Sequence, residues 1–311
     1  MKFGILLGNE KLSEMIKYAR SAEENGFDFV WLADHSPAYL WRDVFVALGA
    51  IASNTDSINL GTAVTNPYTR QTGLLGVAIA SVAELCRNRK VVLGLGPGGA
   101  SPLTPLGIKR WNKPLRAMRE SVQILRILFS GETVDFEGQL FRLKNTKLFE
   151  PFQIPIYLAV RGLKMARLAG EISDGFLLNP PFATMPSIIE KIEKSNKKID
   201  FVMLSPLHIS DNLEPLRRRV AILMPTTPIF ALEKIGLKEQ AKRVLELMPN
   251  LEEAGKVVSD DLVRNFAIVG NTDQCIKQIQ KLKEEGINQF VMQNTSQDLI
   301  KKVADEIMPS F

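Results

Sequence analysis

Residues 90–107 read KVVLGLGPGGASPLTPLG, and the fold turns on how the chain continues past the glycines. Lys90–Leu95 has the continuous apolar character of a strand covered on both faces. Gly94, Gly96 and Gly99 then match G-x-G-x-x-G, the dinucleotide fingerprint. That fingerprint works only if a helix opens on the last glycine and a carboxylate stands roughly 20 residues on. Here Pro102 and Pro105 keep the chain out of a regular helix, and no carboxylate ends a strand near Arg116. The glycines are expected to permit close backbone approach, to a flat ligand or within a tight loop.

Outward from this strand, short apolar runs alternate with helix-period segments. The expected strands are Lys2–Leu7, Phe27–Ala33, Ile58–Thr65, Lys90–Leu95, Ile154–Val160, Gly175–Leu178, Phe201–Ile209 and Gln289–Gln293. Between them lie the expected helices Leu12–Asn25 (stopped by Gly26), Asp43–Ser53, Gln71–Cys86, Pro114–Phe129, Leu163–Ile172, Met185–Asn196 and Thr272–Glu285, with Leu299–Ile307 closing the chain. An open, doubly wound sheet fits the alternation too. Eight strands, with polar residues gathered where they end, favour a (β/α)8 TIM barrel, whose active sites sit at the C-terminal rim. Two insertions are expected: a hairpin over Gly131–Leu143 after helix four, turning at Glu137-Gly138, and extra helices over Asp211–Ala254 between strands seven and eight. No linker divides the chain, so residues 1–311 are expected to form one domain.

Composition narrows the function classes. The chain has 311 residues, 45% of them hydrophobic and 23% charged, and a net charge of +5. The length suits one barrel of roughly 250 residues plus insertions. The densest basic runs, Arg217-Arg218-Arg219 and Lys194–Lys198, lack an aromatic stacking platform; they are expected to be solvated helix faces, and no nucleic-acid partner is expected. A small anion suits this mild charge better. Two cysteines and two histidines do not make a zinc site or a disulfide framework. No apolar run reaches the roughly 18 residues of a membrane span, and no secretory leader is evident. The expectation is a cytoplasmic protein with a small-molecule substrate and no metal.

Candidate site residues cluster at strand ends. Asp34-His35 comes after strand two, a pair suited to proton transfer or hydrogen bonding near neutral pH. Thr65, Asn66 and Arg70 offer hydrogen-bond donors after strand three. Gly96 closes strand four. Val160-Arg161-Gly162 leads from strand five into a helix whose N-terminus would favour an anion, and Asn179 ends strand six. No Ser/His/Asp arrangement, G-x-S-x-G or carboxylate pair appears, so the chemistry is expected to rest on an organic cofactor.

Taken together, ADH (33–35), GTAVTNPYTR (61–70), VVLGLGPGG (91–99), AGEISDGFLLNP (169–180) and the stretch from Asp260 to Met292 resemble the luciferase-like monooxygenase superfamily. Within it, the chain is similar to the coenzyme F420-dependent methylenetetrahydromethanopterin reductases of archaea. The resemblance implies a barrel holding F420, or alternatively FMN, at its C-terminal rim, and hydride transfer to or from a small substrate. It implies a non-prolyl cis peptide at Ala63-Val64, forming a bulge behind the central ring of the cofactor. It implies Asp34 and His35 beside that ring, the cofactor phosphate at Val160, Arg161 and Gly162, and Leu178 and Asn179 nearby. It further implies a homodimer through the helices after strands two and three, which suits the apolar Gln71–Cys86 helix. Two positions depart from the reductases: Leu6 and Gly99 stand where those enzymes carry acids. An FMN-dependent monooxygenase and a barrel that binds flavin without turnover are the rival readings.

Overall fold

The structure, a computed structural model, describes all residues except 36–41, 87, 100–102, 110–111, 180, 193–198, 249 and 294. Eight parallel strands close into a barrel: β1 Lys2–Leu7, β2 Phe29–Leu32, β3 Asn59–Thr62, β4 Val91–Leu95, β5 Ile156–Val160, β6 Gly175–Leu178, β7 Asp200–Ser205 and β8 Gln289–Met292. Each pairs with its neighbour in sequence, and β1 pairs with both β2 and β8. Helices α1 Leu12–Glu24, α2 Val44–Ala52, α3 Thr72–Cys86, α4 Pro114–Phe129, α5 Leu163–Ile172 and α6 Met185–Ile192 come after the first six strands. The barrel expected from the alternation is therefore present.

Alternation along the strands makes two apolar layers. Phe29, Trp31, Val92, Tyr157, Leu177, Val202, Leu204 and Val291 point inward and fill the barrel. Their neighbours, among them Val30, Leu32, Leu93, Leu158, Val160 and Leu178, point outward against the helices. The interior works by pairing large with small. The Trp31 ring stacks on Phe29 at 5.2 Å and leans on Tyr157 at 6.1 Å. Gly61 leaves room for Trp31, since a Cβ there would lie 2.5 Å from the indole, and Gly175 does the same for Tyr157.

At the N-terminal end, Lys90, Tyr157 and Asp200 tie β4, β5 and β7 together. Lys90 Nζ lies 2.8 Å from the Tyr157 hydroxyl and 3.1 Å from Asp200 Oδ2, and the hydroxyl donates to the same carboxylate. Burial pushes the Asp200 carboxyl up, but hydrogen bonds from Tyr157 and Lys90 outweigh it and leave it below its ordinary value.

The insertions differ in detail from expectation. The hairpin pairs Val134–Glu137 with Arg142–Thr146, so its turn is Gly138–Phe141, one step beyond Glu137-Gly138. The buried Glu120 of α4 sets that position by accepting the N–H groups of Gln139, Leu140 and Phe141. The seventh strand stops at Ser205 rather than Ile209. Pro206 brings no N–H to the ladder, and Leu207–His208 pairs instead with Ile268–Val269. Between them lie α7 Glu214–Leu223, α8 Ile229–Lys234, α9 Lys238–Glu246, α10 Leu251–Lys256 and α11 Asp260–Phe266. The last lies beyond the expected limit at Ala254. Ser259 caps it, and Asp260 and Asp261 sit in its first turn. These five helices share their own apolar cluster around Leu216, Val220, Val244, Leu262 and Phe266. The end of the expected Met185–Asn196 helix lies outside the described residues. Two helices close the fold, α12 Thr272–Glu284 capped by Asn271, and α13 Gln297–Glu306 capped by Ser296. Among the described residues, no helix is long and apolar enough to cross a membrane.

The Trp31 packing is testable. Gly61→Ala should cost about 1–3 kcal/mol in urea unfolding. Combined with Trp31→Leu, the loss should be smaller than the sum of the two single losses; additive losses would show that the two positions are not in contact.

Candidate active site

The C-terminal rim brings the ends of β2, β3, β4, β5 and β6 together, and β3 gives it its shape. After Thr62 the chain leaves the regular ladder through a cis peptide at Ala63-Val64, as the resemblance implied. It rejoins at Thr65, which bridges to Leu95: Thr65 N donates to Gly94 O (3.0 Å) and Gly96 N to Thr65 O (2.8 Å). The glycines of β4 make room for this excursion. A Cβ at Gly94 would lie 1.9 Å from the Thr62 carbonyl oxygen, and one at Gly96 would lie 2.6 Å from Val64 Cγ2. The close approach expected at these glycines is thus made by the neighbouring strand. Among the described residues that follow, Thr104–Leu106 forms a single 3-10 turn closed by Gly107.

Ala63, Val64 and Leu6 are partly exposed and rest on the inward-facing cluster. They form an apolar floor at the mouth. Around it stand polar groups of two kinds. The first kind is already committed to the scaffold. Buried Thr65 donates its hydroxyl to Asp34 Oδ2 at 2.7 Å, which links the ends of β3 and β2. Asn66 Oδ1 accepts the N–H groups of Tyr68 and Thr69 (3.0 Å each) and so builds its own turn. Arg70 pairs with Asp43, which caps α2, and its guanidinium lies 4.9 Å from the Phe45 ring. Asn66 Oδ1 and one Arg70 guanidinium nitrogen thus brace the loop, which leaves their other N–H groups as donors.

The second kind has unspent capacity. Arg161 comes directly after β5, and its Nη1 is buried without a hydrogen-bond partner. Burial lowers its pKa to about 10, so it remains charged at neutral pH. Among the described residues no carboxylate pairs with it. His35, after β2, feels this charge: burial first, and then the Arg161 cation, hold its pKa below the ordinary value. The imidazole is therefore neutral at pH 7 and carries one donor and one acceptor nitrogen. Gly162 is the N-cap of α5, with extended backbone (φ −140°, ψ 156°) and no side chain over the first turn. The space where its Cβ would sit is open to 4 Å. An uncapped helix N-terminus beside an unpaired arginine is a seat for an anion.

The remaining expected residues divide by direction. The side chains of Val160 and Leu178 are buried among the helices and offer the site only main chain. Asn179, partly exposed, stands after β6 at the rim. Sequence reasoning missed Ala159, whose Cβ lies 3.5 Å from the position a Gly96 Cβ would take. It also missed Arg219. The structure splits the Arg217–Arg219 run: Arg217 pairs with Glu214 and Asp260, Arg218 with Glu252, while half-buried Arg219 donates to the Gln293 carbonyl after β8. Helical spacing held the signal, because Arg219 stands three residues after Leu216 and adjoins Val220, both buried.

The comparisons agree with this geometry. Over its full length the chain is 34% identical to the 5,10-methylenetetrahydromethanopterin reductase of Archaeoglobus fulgidus, covering all of both chains. It is 29% identical, over 84% of each chain, to an F420-dependent glucose-6-phosphate dehydrogenase of Nakamurella multipartita. The F420-dependent tetrahydromethanopterin reductase structure from Methanopyrus kandleri superposes with a TM-score of 0.89 at 25% identity, covering 100% of this chain and 99% of that one. The model of the luciferase-like monooxygenase family matches residues 1–289; with the closed barrel and the rim bulge at Ala63-Val64, the chain belongs to that family.

Proposed function

We propose that this protein is a coenzyme F420-dependent oxidoreductase that exchanges hydride with a small substrate at the C-terminal mouth of the barrel. The observation that carries the reading is the pairing of an apolar floor at Ala63 and Val64 with an unpartnered, buried Arg161 Nη1 beside the open N-terminus of α5. A deazaflavin is a flat ring on an anionic tail and fits both halves. When bound, it supplies a ring carbon that accepts or donates hydride. Val64 and Ala63 support the ring. The main chain at Val160 and Gly162, with Arg161, holds the tail, and Leu178 and Asn179 border it. His35 faces the reacting edge as a neutral hydrogen-bonding group, and Asp34 anchors that strand end through Thr65. Methylenetetrahydromethanopterin is the substrate named for the 34% identical relative, and it is one candidate for this chain.

The same reading takes residues 1–311 as one working unit in the cytoplasm, in keeping with two buried free thiols. It also takes the active form as a homodimer. Val46 of α2 and Leu74, Val77 and Leu85 of α3 are exposed, Leu74 to 65%. Apolar side chains grouped on two adjacent helices are what a partner copy would cover.

Three measurements test the proposal. Titration with F420 and with FMN, monitored by fluorescence, should show micromolar F420 binding and no FMN binding; tight FMN binding would favour a flavin monooxygenase. Gly162→Asp should hold or raise thermal stability, because aspartate is a favoured N-cap, yet abolish F420 binding by occupying the anion seat. Retained binding would place the tail elsewhere. His35→Ala should bind F420 normally and lose roughly 10²–10⁴-fold in turnover, and parental turnover would remove His35 from the site. For the assembly, Leu74→Glu should shift the protein to a monomer in sedimentation equilibrium, whereas an unchanged mass would exclude this face.

A further inference from the structure

One cation at the barrel mouth takes no part in holding the cofactor. Arg219 of α7 comes from the helices inserted between β7 and β8 and reaches back to the rim. Its Nη2 donates to the carbonyl oxygen of Gln293, the first residue beyond β8. Ile5 of β1 stands beside Met292 in the register, so Gln293 neighbours Leu6. Thr295 closes the same edge by donating its hydroxyl to the Leu6 carbonyl at 3.2 Å. The guanidinium is thus carried to the β8–β1 side of the mouth. The groups assigned to the cofactor come from β2 to β6, around the rest of the ring of strands.

Arg219 differs from the arginines that are held in ion pairs. Arg70, Arg119, Arg126, Arg217 and Arg218 each pair with a carboxylate. Arg219, half-buried and bonded to the Gln293 carbonyl, pairs with none among the described residues. Burial holds its pKa down, and the more distant charge of Glu10 only partly opposes this. The Glu10 carboxylate is itself engaged by the N–H of Gly8 at 2.7 Å. The strand-end side chain beside Gln293 is Leu6, partly exposed and apolar. A guanidinium carries five N–H donors, and one neutral carbonyl is poor compensation for withdrawing it from water. Glu10 is not within ion-pair reach, so a direct anionic partner is best supplied by a molecule that enters the mouth.

We propose that Arg219 is the substrate-selecting residue of this site, receiving an oxyanion group, a carboxylate or a phosphate monoester, on the molecule that exchanges hydride. The inference rests on the F420-dependent reading and names the substrate class for it. Leu6 and the apolar floor take the neutral part of that molecule, and Arg219 fixes its charged end. Specificity then lies in the inserted helices and not in the strands that carry the cofactor.

The test uses the full chain saturated with F420, so that the anion seat at Arg161 is filled. Inorganic phosphate and acetate are titrated while the melting temperature is monitored, in the parent, Arg219→Met, Arg219→Lys and Arg161→Met. A dose-dependent rise in the parent is expected. The half-saturating concentration should increase at least about tenfold in Arg219→Met, as loss of charge-assisted hydrogen bonds predicts, and less in Arg219→Lys. Tighter phosphate indicates a phosphate monoester, and tighter acetate a carboxylate. F420 binding by Arg219→Met should match that of the parent. If Arg219→Met responds to both anions as the parent does, or if the parent responds to neither, Arg219 only braces the loop after β8 and the proposal falls. Failure of the parent to bind F420 is a separate outcome that removes the cofactor reading. The anion response is then read on cofactor-free Arg161→Met, where it should persist and should vanish in Arg161→Met/Arg219→Met.

Discussion

The mouth of this barrel depends on one steric constraint, the close approach of β3 to β4. The Thr62 carbonyl occupies the space of a Gly94 side chain, and Val64 that of a Gly96 side chain. Any larger residue at either position would push the strands apart. Because both are glycine, the end of β3 can bulge inward while Thr65 still exchanges main-chain hydrogen bonds with Gly94 and Gly96. The bulge exposes Ala63 and Val64 as a floor, and it aims Thr65 at Asp34. A feature that resembles a nucleotide fingerprint in sequence therefore serves packing between adjacent strands, which in turn shapes a ligand floor.

Charge is distributed around that floor with similar economy. The scaffold's cations are neutralised locally: Arg70 by Asp43, Lys90 by Asp200, and Arg217 by two carboxylates. Arg161 and Arg219 are the exceptions at the mouth. Each is desolvated, and neither forms an ion pair among the described residues. A desolvated cation is tolerable when an anion completes it on binding, since low local polarity strengthens that pairing. Burial, and after it the charge of Arg161, hold the His35 pKa down. An anionic group placed against Arg161 would reduce that repulsion and move the imidazole back toward its ordinary pKa, so anion binding there and the protonation of His35 would be coupled.

Much of this was legible in the sequence, for identifiable reasons. The barrel could be read because each strand is buried on both faces and each helix shows an apolar stripe, patterns that survive without contacts. The helix start after β5 could be read because Gly162 opens it directly after Arg161. Local pattern failed where a distant partner decides the outcome. Pro206 diverted the chain after β7 to pair with residues some 60 positions on, and the Glu120 carboxylate moved the hairpin turn by one step. The bracing of Asn66 Oδ1 by turn N–H groups and of Arg70 by Asp43 is visible only once the loop is folded.

Arg219 shows the same limit from the other side. Within a run of three arginines it looked like a solvated face, since composition alone does not distinguish neighbours on a helix. The helix turns each by about 100°, so one faces Asp260, one faces Glu252 and the third faces the barrel. Only closure of β8 onto β1 brings Gln293 under that third guanidinium. The barrel fixes the positions of the strand ends at its rim. The inserted helices pack around a separate apolar cluster, so their sequence can vary without disturbing the interior behind that rim. A cation delivered from such an insertion can therefore change the substrate while the cofactor site stays as it is.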